Sequence, residues 1–185
     1  MNILNSDLDP PPVLGLSINC GDEVSGLFEE VSPVYRIVDE VRDILCSEAG
    51  IHYVVVRGKI GHNSDGITQV GGEILKRAND AMKRLKRKNR FCYWDTGKGL
   101  QDKILISLSE LTNTLIERMT EYQYKAYNLL KRGFSQKEIA ARLDKYQQSV
   151  SDAVGRGNAE LVIDAENRIT EILNSGSSIP EEKND

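Results

Sequence analysis

The sequence predicts an α+β fold in which an α+β domain at residues 13–97 is followed by an all-α domain at residues 120–173. Up to Gly97 and Gly99, short apolar and β-branched runs alternate with amphipathic helical patterns. Beyond these glycines the apolar residues recur with helical spacing. The length of 185 residues accommodates one domain or two small ones.

The first domain is predicted to have the order β-β-α-β-α-β, with two helices on one face of a sheet. Apolar alternation predicts the strands, and apolar residues three and four apart predict the helices. In chain order, the elements are a hairpin over 13–28, a helix from Ser32 that stops at Gly50, a strand at Tyr53–Arg57, a helix from Glu73 to about Arg90 and a strand at Phe91–Trp94.

Three further segments flank or connect the two domains. Pro10–Pro12 predicts an extended lead-in over residues 1–12, and residues 174–185, rich in Ser, Gly and Glu, are expected to be disordered. Residues 98–119 are predicted to form a linking amphipathic helix. The apolar seam of this helix consists of Ile104, Leu108, Leu111, Leu115 and Met119. The seam either packs on its own domain or forms a contact between two chains.

Composition argues against a membrane protein and against export. Hydrophobic residues make up 39% of the chain, and no apolar run approaches the roughly 18–20 residues that a membrane span needs. The first residues lack the basic stretch of a secretory signal. Cys20, Cys46 and Cys92 match no zinc-binding spacing, so we expect reduced structural thiols in a cytoplasmic protein without a cofactor.

The net charge of −4 conceals an asymmetry along the chain. Residues 1–70 contain 11 acidic and 4 basic residues, whereas residues 76–98 contain 9 basic and 2 acidic ones. Residues 131–157 are also basic, with 6 basic and 3 acidic residues. A mildly acidic protein can therefore still present basic surface to a polyanion.

Residues 120–158 have the spacing of a helix-turn-helix. Ser135 is predicted to cap a short helix, Asp144–Gln147 to form the turn, and a second helix to begin near Gln148. Ala140 is the small residue that two closely crossing helices require. The predicted buried positions of the two helices are Ile139, Ala140, Leu143, Val150 and Val154.

The exposed start of the second helix carries side chains suited to DNA. Glutamine can pair with adenine through two hydrogen bonds, serine can bond to several base edges, and lysine or arginine can contact phosphates. The residues predicted to bind DNA are Lys137, Lys145, Gln147, Gln148, Ser149, Ser151, Asp152 and Arg156. Lys131 and Arg132 are expected to contact phosphates beside them.

A helical bundle without a nucleic-acid role is the alternative interpretation of this segment. Two residues favour that alternative. Asp144 occupies a turn position where glycine would more easily adopt a positive φ, although Asp tolerates it. Asp152 places a negative charge on the predicted reading face, which repels phosphate unless it meets a cytosine amino group.

A second basic feature ends the helix that begins near Glu73. Positive charge stabilises a helix C-terminus, so this run is either a solvated face or a phosphate-contacting surface that widens a footprint on DNA. Its members are Lys83, Arg84, Lys86, Arg87, Lys88 and Arg90.

Asp22 and Glu23 are adjacent carboxylates at the tip of the predicted hairpin. Carboxylates on a turn can hold Mg²⁺ together with nucleotide phosphates, and Asp22 is therefore the candidate metal ligand. A plain solvated turn is the default interpretation, because the sequence identifies no further oxygen ligands.

Several stretches resemble the SatD family of regulators. Cys20–Phe28 (CGDEVSGLF) resembles that family's hairpin, and 56–61 (VRGKIG) and 71–81 (GGEILKRANDA) resemble its later strand and helix. Residues 111–130 and 134–158 resemble its C-terminal helix-turn-helix, which is similar to sigma-factor region 4 and LuxR-type DNA-binding domains. The resemblance covers most of residues 13–170 and implies a DNA-binding regulator.

The order of elements in residues 13–97 also resembles part of the palm of nucleotidyl cyclases and GGDEF proteins. This resemblance implies a truncated ferredoxin-like, palm-like domain related to a nucleotide-binding scaffold. The strand and helix that open the palm have no counterpart before the hairpin, and only Asp22 corresponds to a palm metal position. We therefore expect no nucleotide cyclisation and no other enzymatic activity.

The leading hypothesis is a cytoplasmic DNA-binding transcriptional regulator. Its palm-like domain senses or dimerises, its partner is double-stranded DNA, and a homodimer reads two half-sites. One alternative is a nucleotide- and Mg²⁺-binding sensor or enzyme with the metal at Asp22. Another is a protein-interaction module in which the basic helix meets an acidic partner.

Overall fold

A computed structural model describes residues 11–19, 23–44, 51–58 and 72–175. This part of the chain is mixed α+β and mostly helical. The strands are β1 Leu14–Asn19, β2 Glu23–Leu27, β3 Tyr53–Val56 and β4 Cys92–Asp95. The helices are α1 Val34–Ile44, α2 Gly72–Arg87, α3 Gly99–Glu117, α4 Glu121–Lys131, α5 Gln136–Leu143, α6 Gln147–Arg156 and α7 Ala159–Ser175.

The four described strands form two separate two-stranded sheets, which corrects the single sheet expected from the sequence. β1 and β2 pair antiparallel, with Ile18 opposite Val24. β3 and β4 pair parallel, with Tyr53 opposite Cys92. Apolar alternation shows which residues share one face of a strand, but it does not specify which strand edges pair. The element order is therefore as predicted, whereas the sheet topology is not.

The parallel pair β3–β4 lies at the centre of one hydrophobic core. α2 connects the two strands and packs on both, with Ala81 and Leu85 buried. α3 packs on β4 and on α7, so Trp94, Leu105 and Ile169 belong to one buried cluster. The C-terminal helix α7 thus covers residues that belong to the predicted first domain.

The most buried face of α3 is displaced from its predicted apolar seam, of which Leu108, Leu115 and Met119 are only partly buried against the cores. Its fully or nearly fully buried residues include Leu105, Ser109 and Thr112, whereas Ile104 and Leu111 are 42% and 64% exposed. The Thr112 hydroxyl donates to the Leu108 carbonyl at 3.0 Å, so the helix backbone itself supplies a hydrogen-bond partner for this buried polar side chain. A search for apolar residues alone misses such positions.

Several expectations fall outside the described ranges. These are the candidate metal ligand Asp22, the thiols Cys20 and Cys46, most of the lead-in and the tail beyond Ser175. Cys92 is a buried free thiol, and burial raises its pKa to about 12. Among the helices described, none is both long and apolar enough to cross a bilayer.

Candidate nucleic-acid interface

Side-chain caps fix the starts of α4 and α5. Thr120 Oγ1 accepts a hydrogen bond from Gln123 N at 3.3 Å, and Gln123 Oε1 accepts one from Thr120 N at 2.9 Å. Ser135 and Glu138 repeat this reciprocal arrangement, and the hydrogen bonds from Ser135 hold the pKa of Glu138 below its ordinary value. These bonds satisfy backbone groups that a helix N-terminus otherwise leaves unpaired.

A turn of three residues, Asp144–Tyr146, separates α5 from α6. Asp144 has φ 52° and ψ 53°, which is the left-handed conformation, and the next amide, Lys145 N, donates to the Ala140 carbonyl at 2.9 Å. A left-handed residue is a common way to end a helix, and Asp tolerates this region better than most residues. The predicted break in the helix is thus confirmed at Asp144.

The two short helices are held by a common apolar cluster with α4 and α7. Ile139 of α5 and Val150 of α6 are completely buried there, together with Tyr127 of α4 and Val162 of α7. Ala140 is buried in the same cluster, where a small side chain permits close approach of helices. The apolar side of α6 is therefore fixed by its neighbours.

The opposite side of α6 is polar and exposed. We call Gln147, Gln148, Ser151, Asp152 and Arg156 the α6 face, and all five are exposed. Gln148 Nε2 donates to Asp152 Oδ1 at 3.2 Å, so the negative charge of Asp152 is held beside an amide one helical turn away.

The other predicted DNA-binding residues have different surroundings. Ser149 is half-buried, whereas Lys137 of α5 and Lys145 of the turn are exposed. In the described ranges no carboxylate forms an ion pair with Lys137, Lys145 or Arg156. Their positive charges therefore remain available for a ligand.

Lys131 and Arg132, also expected to contact phosphates, differ in that each forms an ion pair with a carboxylate. Lys131 Nζ lies 2.5 Å from Asp39 Oδ2 and 2.8 Å from Glu166 Oε2. Arg132 Nη2 lies 3.2 Å from Asp43 Oδ2. Carboxylates of α1 and α7 thus pair with Lys131, which is half-buried, and a carboxylate of α1 pairs with Arg132, which is exposed.

A buried ionic network joins α1, α3, α4 and α7. Glu166 and Arg42 are only 3% and 5% exposed. Arg42 donates to Glu166 Oε1 at 3.4 Å and to Asn113 Oδ1 at 2.8 Å. The Tyr127 hydroxyl donates to Glu166 Oε2 at 2.7 Å. Each buried charge therefore has an opposite charge or a hydrogen-bond partner, as burial requires.

The sequence offers one signal for this network that apolar patterns alone do not use. Glu166 lies four residues after Val162 and three before Ile169, so it occupies the apolar stripe of α7. Burial, and then the charge of Glu166, raise the pKa values of the Tyr35 and Tyr127 hydroxyls above the ordinary range. Both phenols therefore remain protonated donors.

The basic run at the end of α2 lies in a different part of the fold. All six of its bases, from Lys83 to Arg90, are exposed. Lys86 Nζ lies 3.9 Å from Glu23 Oε1, and Arg90 Nε lies 3.2 Å from Glu110 Oε2. α2 packs on β3 and β4, whereas α6 packs on α4, α5 and α7. The two basic regions are thus carried by different elements.

The predicted metal ligand cannot be placed, because Asp22 lies outside the described residues. Its neighbour Glu23 is exposed and faces Lys86. No group of three or more His, Cys, Asp or Glu side chains that could hold a metal ion occurs within the described ranges.

No protein-family model, curated protein or solved structure matches this chain. Its function is therefore inferred from its own residues and their geometry.

Proposed function

We propose that the protein is a DNA-binding transcriptional regulator that uses α5, the turn at Asp144 and α6 as a helix-turn-helix. One observation carries the proposal: the apolar side of α6 is buried on its neighbours while Gln147 and Gln148 are exposed at its N-terminal end. A recognition helix requires this division, because the core fixes its orientation and its N-terminal residues contact base edges.

The hydrogen bond between Gln148 and Asp152 supports this proposal and gives Asp152 a role. A glutamine amide has two N–H donors and one carbonyl acceptor. One donor of Gln148 is directed to Asp152, which leaves one donor and the acceptor. Adenine presents the matching pair, the N7 acceptor and the N6 donor, in the major groove. Asp152 thus acts as a positioning residue that orients the Gln148 amide.

We further propose that the regulator binds DNA as a homodimer in the cytoplasm, with residues 13–97 as a palm-like sensing or dimerising domain. A single small module buries roughly 600–1,000 Å² of protein surface on DNA, and pairing two half-sites is the usual way to increase it. Two-fold symmetric proteins read half-sites one helical turn of about 34–36 Å apart, or multiples of it.

Selection of duplexes from a random pool by the full chain tests the proposal. We expect an enriched sequence, and we expect Gln148→Ala to weaken binding to it by about 1–3 kcal/mol while random duplexes bind as before. Asn167→Ala is the matched control, because it removes an exposed amide from α7 instead. Absence of enrichment, or wild-type affinity of Gln148→Ala, would overturn the assignment of α6.

The symmetry of the selected site tests the dimer. We expect two inverted half-sites. We also expect light scattering of the protein–DNA complex to give the mass of two protomers on one duplex. A single unrepeated half-site bound by one protomer contradicts the dimer but leaves the role of α6 intact. Binding to an acidic protein that survives loss of the whole α6 face, with no enriched duplex, would instead favour the protein-interaction module.

A further inference from the structure

Four bases at the C-terminal end of α2 remain without an acidic partner. Residues 81–94 contain six basic residues and no acidic one. Two of the six, Lys86 and Arg90, face Glu23 and Glu110. The other four form no ion pair with any residue that the structure describes, and we call them the α2 patch: Lys83, Arg84, Arg87 and Lys88.

Some bases elsewhere in the described chain are neutralised, whereas others, such as Lys103 and Arg118, form no ion pair but stand singly in the sequence. Arg42, Lys131 and Arg132 pair with carboxylates of other elements, and Lys125 and Arg168 pair within their own helices. Acidic residues are not scarce, since the chain has 28 of them against 24 basic ones. Four adjacent positive charges repel one another, and a polyanionic ligand would relieve that repulsion.

The packing of α2 directs the patch to solvent. Ala81 and Leu85 are buried on the β3–β4 side. At 3.6 residues per turn, Lys83 and Arg87 lie on the opposite side of the helix, one above the other and about 6 Å apart along its axis. A flat or rod-shaped polyanion can therefore contact both at once.

The composition of this helix favours nucleic acid over an acidic protein as the partner. Specific protein interfaces are centred on apolar and aromatic anchors. None of the exposed large hydrophobic residues in the described ranges lies on α2. Phosphate contacts need only positive charge, and they bind without regard to sequence.

We propose that the α2 patch is a second nucleic-acid surface that contacts the phosphate backbone of duplex DNA. This inference rests on the proposed function in that DNA is the ligand, but it uses no part of the α6 face. The patch supplies sequence-independent affinity, and the α6 face supplies sequence preference.

The test compares two double variants of the full chain on a duplex of random sequence. Lys83→Gln/Arg87→Gln removes two unpaired charges of the patch. Lys125→Gln/Arg168→Gln removes the same two residue types, which are exposed but paired with Glu121 and Glu171. Affinity is measured from low to moderate salt, and a thermal melt verifies that each variant is folded.

We expect the patch variant to lower the slope of log affinity against log salt by about 1.8, because each phosphate contact contributes about 0.9. The control variant should keep the wild-type slope. Equal slopes for the two variants would overturn the α2 patch and leave the α6 assignment standing. Tight binding of the patch to polyglutamate but not to duplex would also overturn it, in favour of an acidic protein partner.

The outcomes separate this inference from the proposed function. A patch-dependent slope without any enriched sequence, and without an effect of Gln148→Ala, would retain the α2 surface and overturn the α6 face. An enriched sequence bound equally well by wild type and the patch variant would retain the α6 face and overturn the α2 surface.

Discussion

Tyr146 lies between α5 and α6 with 84% of its surface exposed. Its backbone forms the N-cap of α6, but its side chain makes no capping hydrogen bond. No sequence pattern identifies this residue as part of a site, because the direction of its side chain depends on the left-handed turn at Asp144. An aromatic ring with a hydroxyl, placed beside the α6 face, can contact a phosphate or a thymine methyl group.

We expect Tyr146→Ala to reduce affinity for the selected duplex about tenfold. The free energy of unfolding should change by less than about 0.5 kcal/mol, because the ring has almost no contacts to lose. Leu161→Ala is the control, since it truncates an exposed large side chain of α7. Wild-type duplex affinity of Tyr146→Ala in a gel-shift titration would show that the ring does not contact DNA.

At the scale of the element, the sequence was informative where local chemistry decides the structure. Thr120 and Ser135 cap α4 and α5 as their types and spacing predict, and Asp144 ends α5. The buried residues Ile139 and Val150 could also be predicted, because a short amphipathic helix has one apolar side. These features depend on residues within one or two turns of each other.

Features that depend on distant partners were not predictable from the same patterns. The inward face of α3 includes Ser109 and Thr112, because both β4 and α7 pack on this helix. The pairing of β3 with β4 depends on the path of α2 between them. Arg42 and Glu166 are 124 positions apart, and only the assembled fold shows that each neutralises the other.

Gly155 lies in the last turn of α6 and Gly157 directly follows the helix, and the pair provides a test of how this element is packed. A Cβ at Gly155 would meet no atom within 4 Å, whereas one at Gly157 would lie 2.9 Å from the Ala153 carbonyl oxygen. We expect Gly155→Ala to raise the free energy of unfolding by about 0.5–1 kcal/mol, because alanine has the higher helix propensity. Gly157→Ala should lower it by about 1–3 kcal/mol through overpacking.

Urea denaturation followed by circular dichroism measures both changes. Because the two variants add the same methyl group two residues apart, differences in composition cannot explain opposite signs. Equal effects of the two substitutions would contradict the close packing at Gly157, where an added Cβ would also lie 3.3 Å from Gln123 Cβ of α4.

At the scale of the whole molecule, the buried network makes the N-terminal and C-terminal parts interdependent. Glu166 of α7 accepts hydrogen bonds from Arg42 of α1 and Tyr127 of α4. Removing the charge of Glu166 leaves Arg42 and Lys131 with Asp39 as their remaining carboxylate. The substitution therefore leaves one uncompensated positive charge inside the protein.

We expect Glu166→Gln to lower the free energy of unfolding by about 3 kcal/mol, as breaking a buried ion pair does. Glu171→Gln is the matched control on the same helix, where the exposed pair with Arg168 contributes at most about 0.5–1 kcal/mol. A single cooperative transition for the wild-type chain should accompany this result. Two separate transitions would show that the network does not couple the two parts.

The same buried groups determine how stability depends on alkaline pH. Burial raises the pKa of Cys92 from 9.0 to about 12 and raises the pKa values of Tyr35, Tyr53 and Tyr127 above 10.0. In the unfolded chain these groups ionise at their ordinary values, while in the folded chain they keep their protons. The folded state therefore binds more protons above about pH 9, and its stability falls as the pH rises through this range.

Each such group contributes a loss of about 1.4 kcal/mol per pH unit once it is ionised in the unfolded chain only. We expect urea midpoints to be constant near pH 8 and to fall steeply between pH 10 and 11. Tyr127→Phe should reduce the slope of stability against pH by about 1.4 kcal/mol per pH unit. The same substitution lowers stability at neutral pH, because it removes the hydrogen bond to Glu166. A slope that Tyr127→Phe does not alter would mean that this phenol is not protected from solvent in the folded protein.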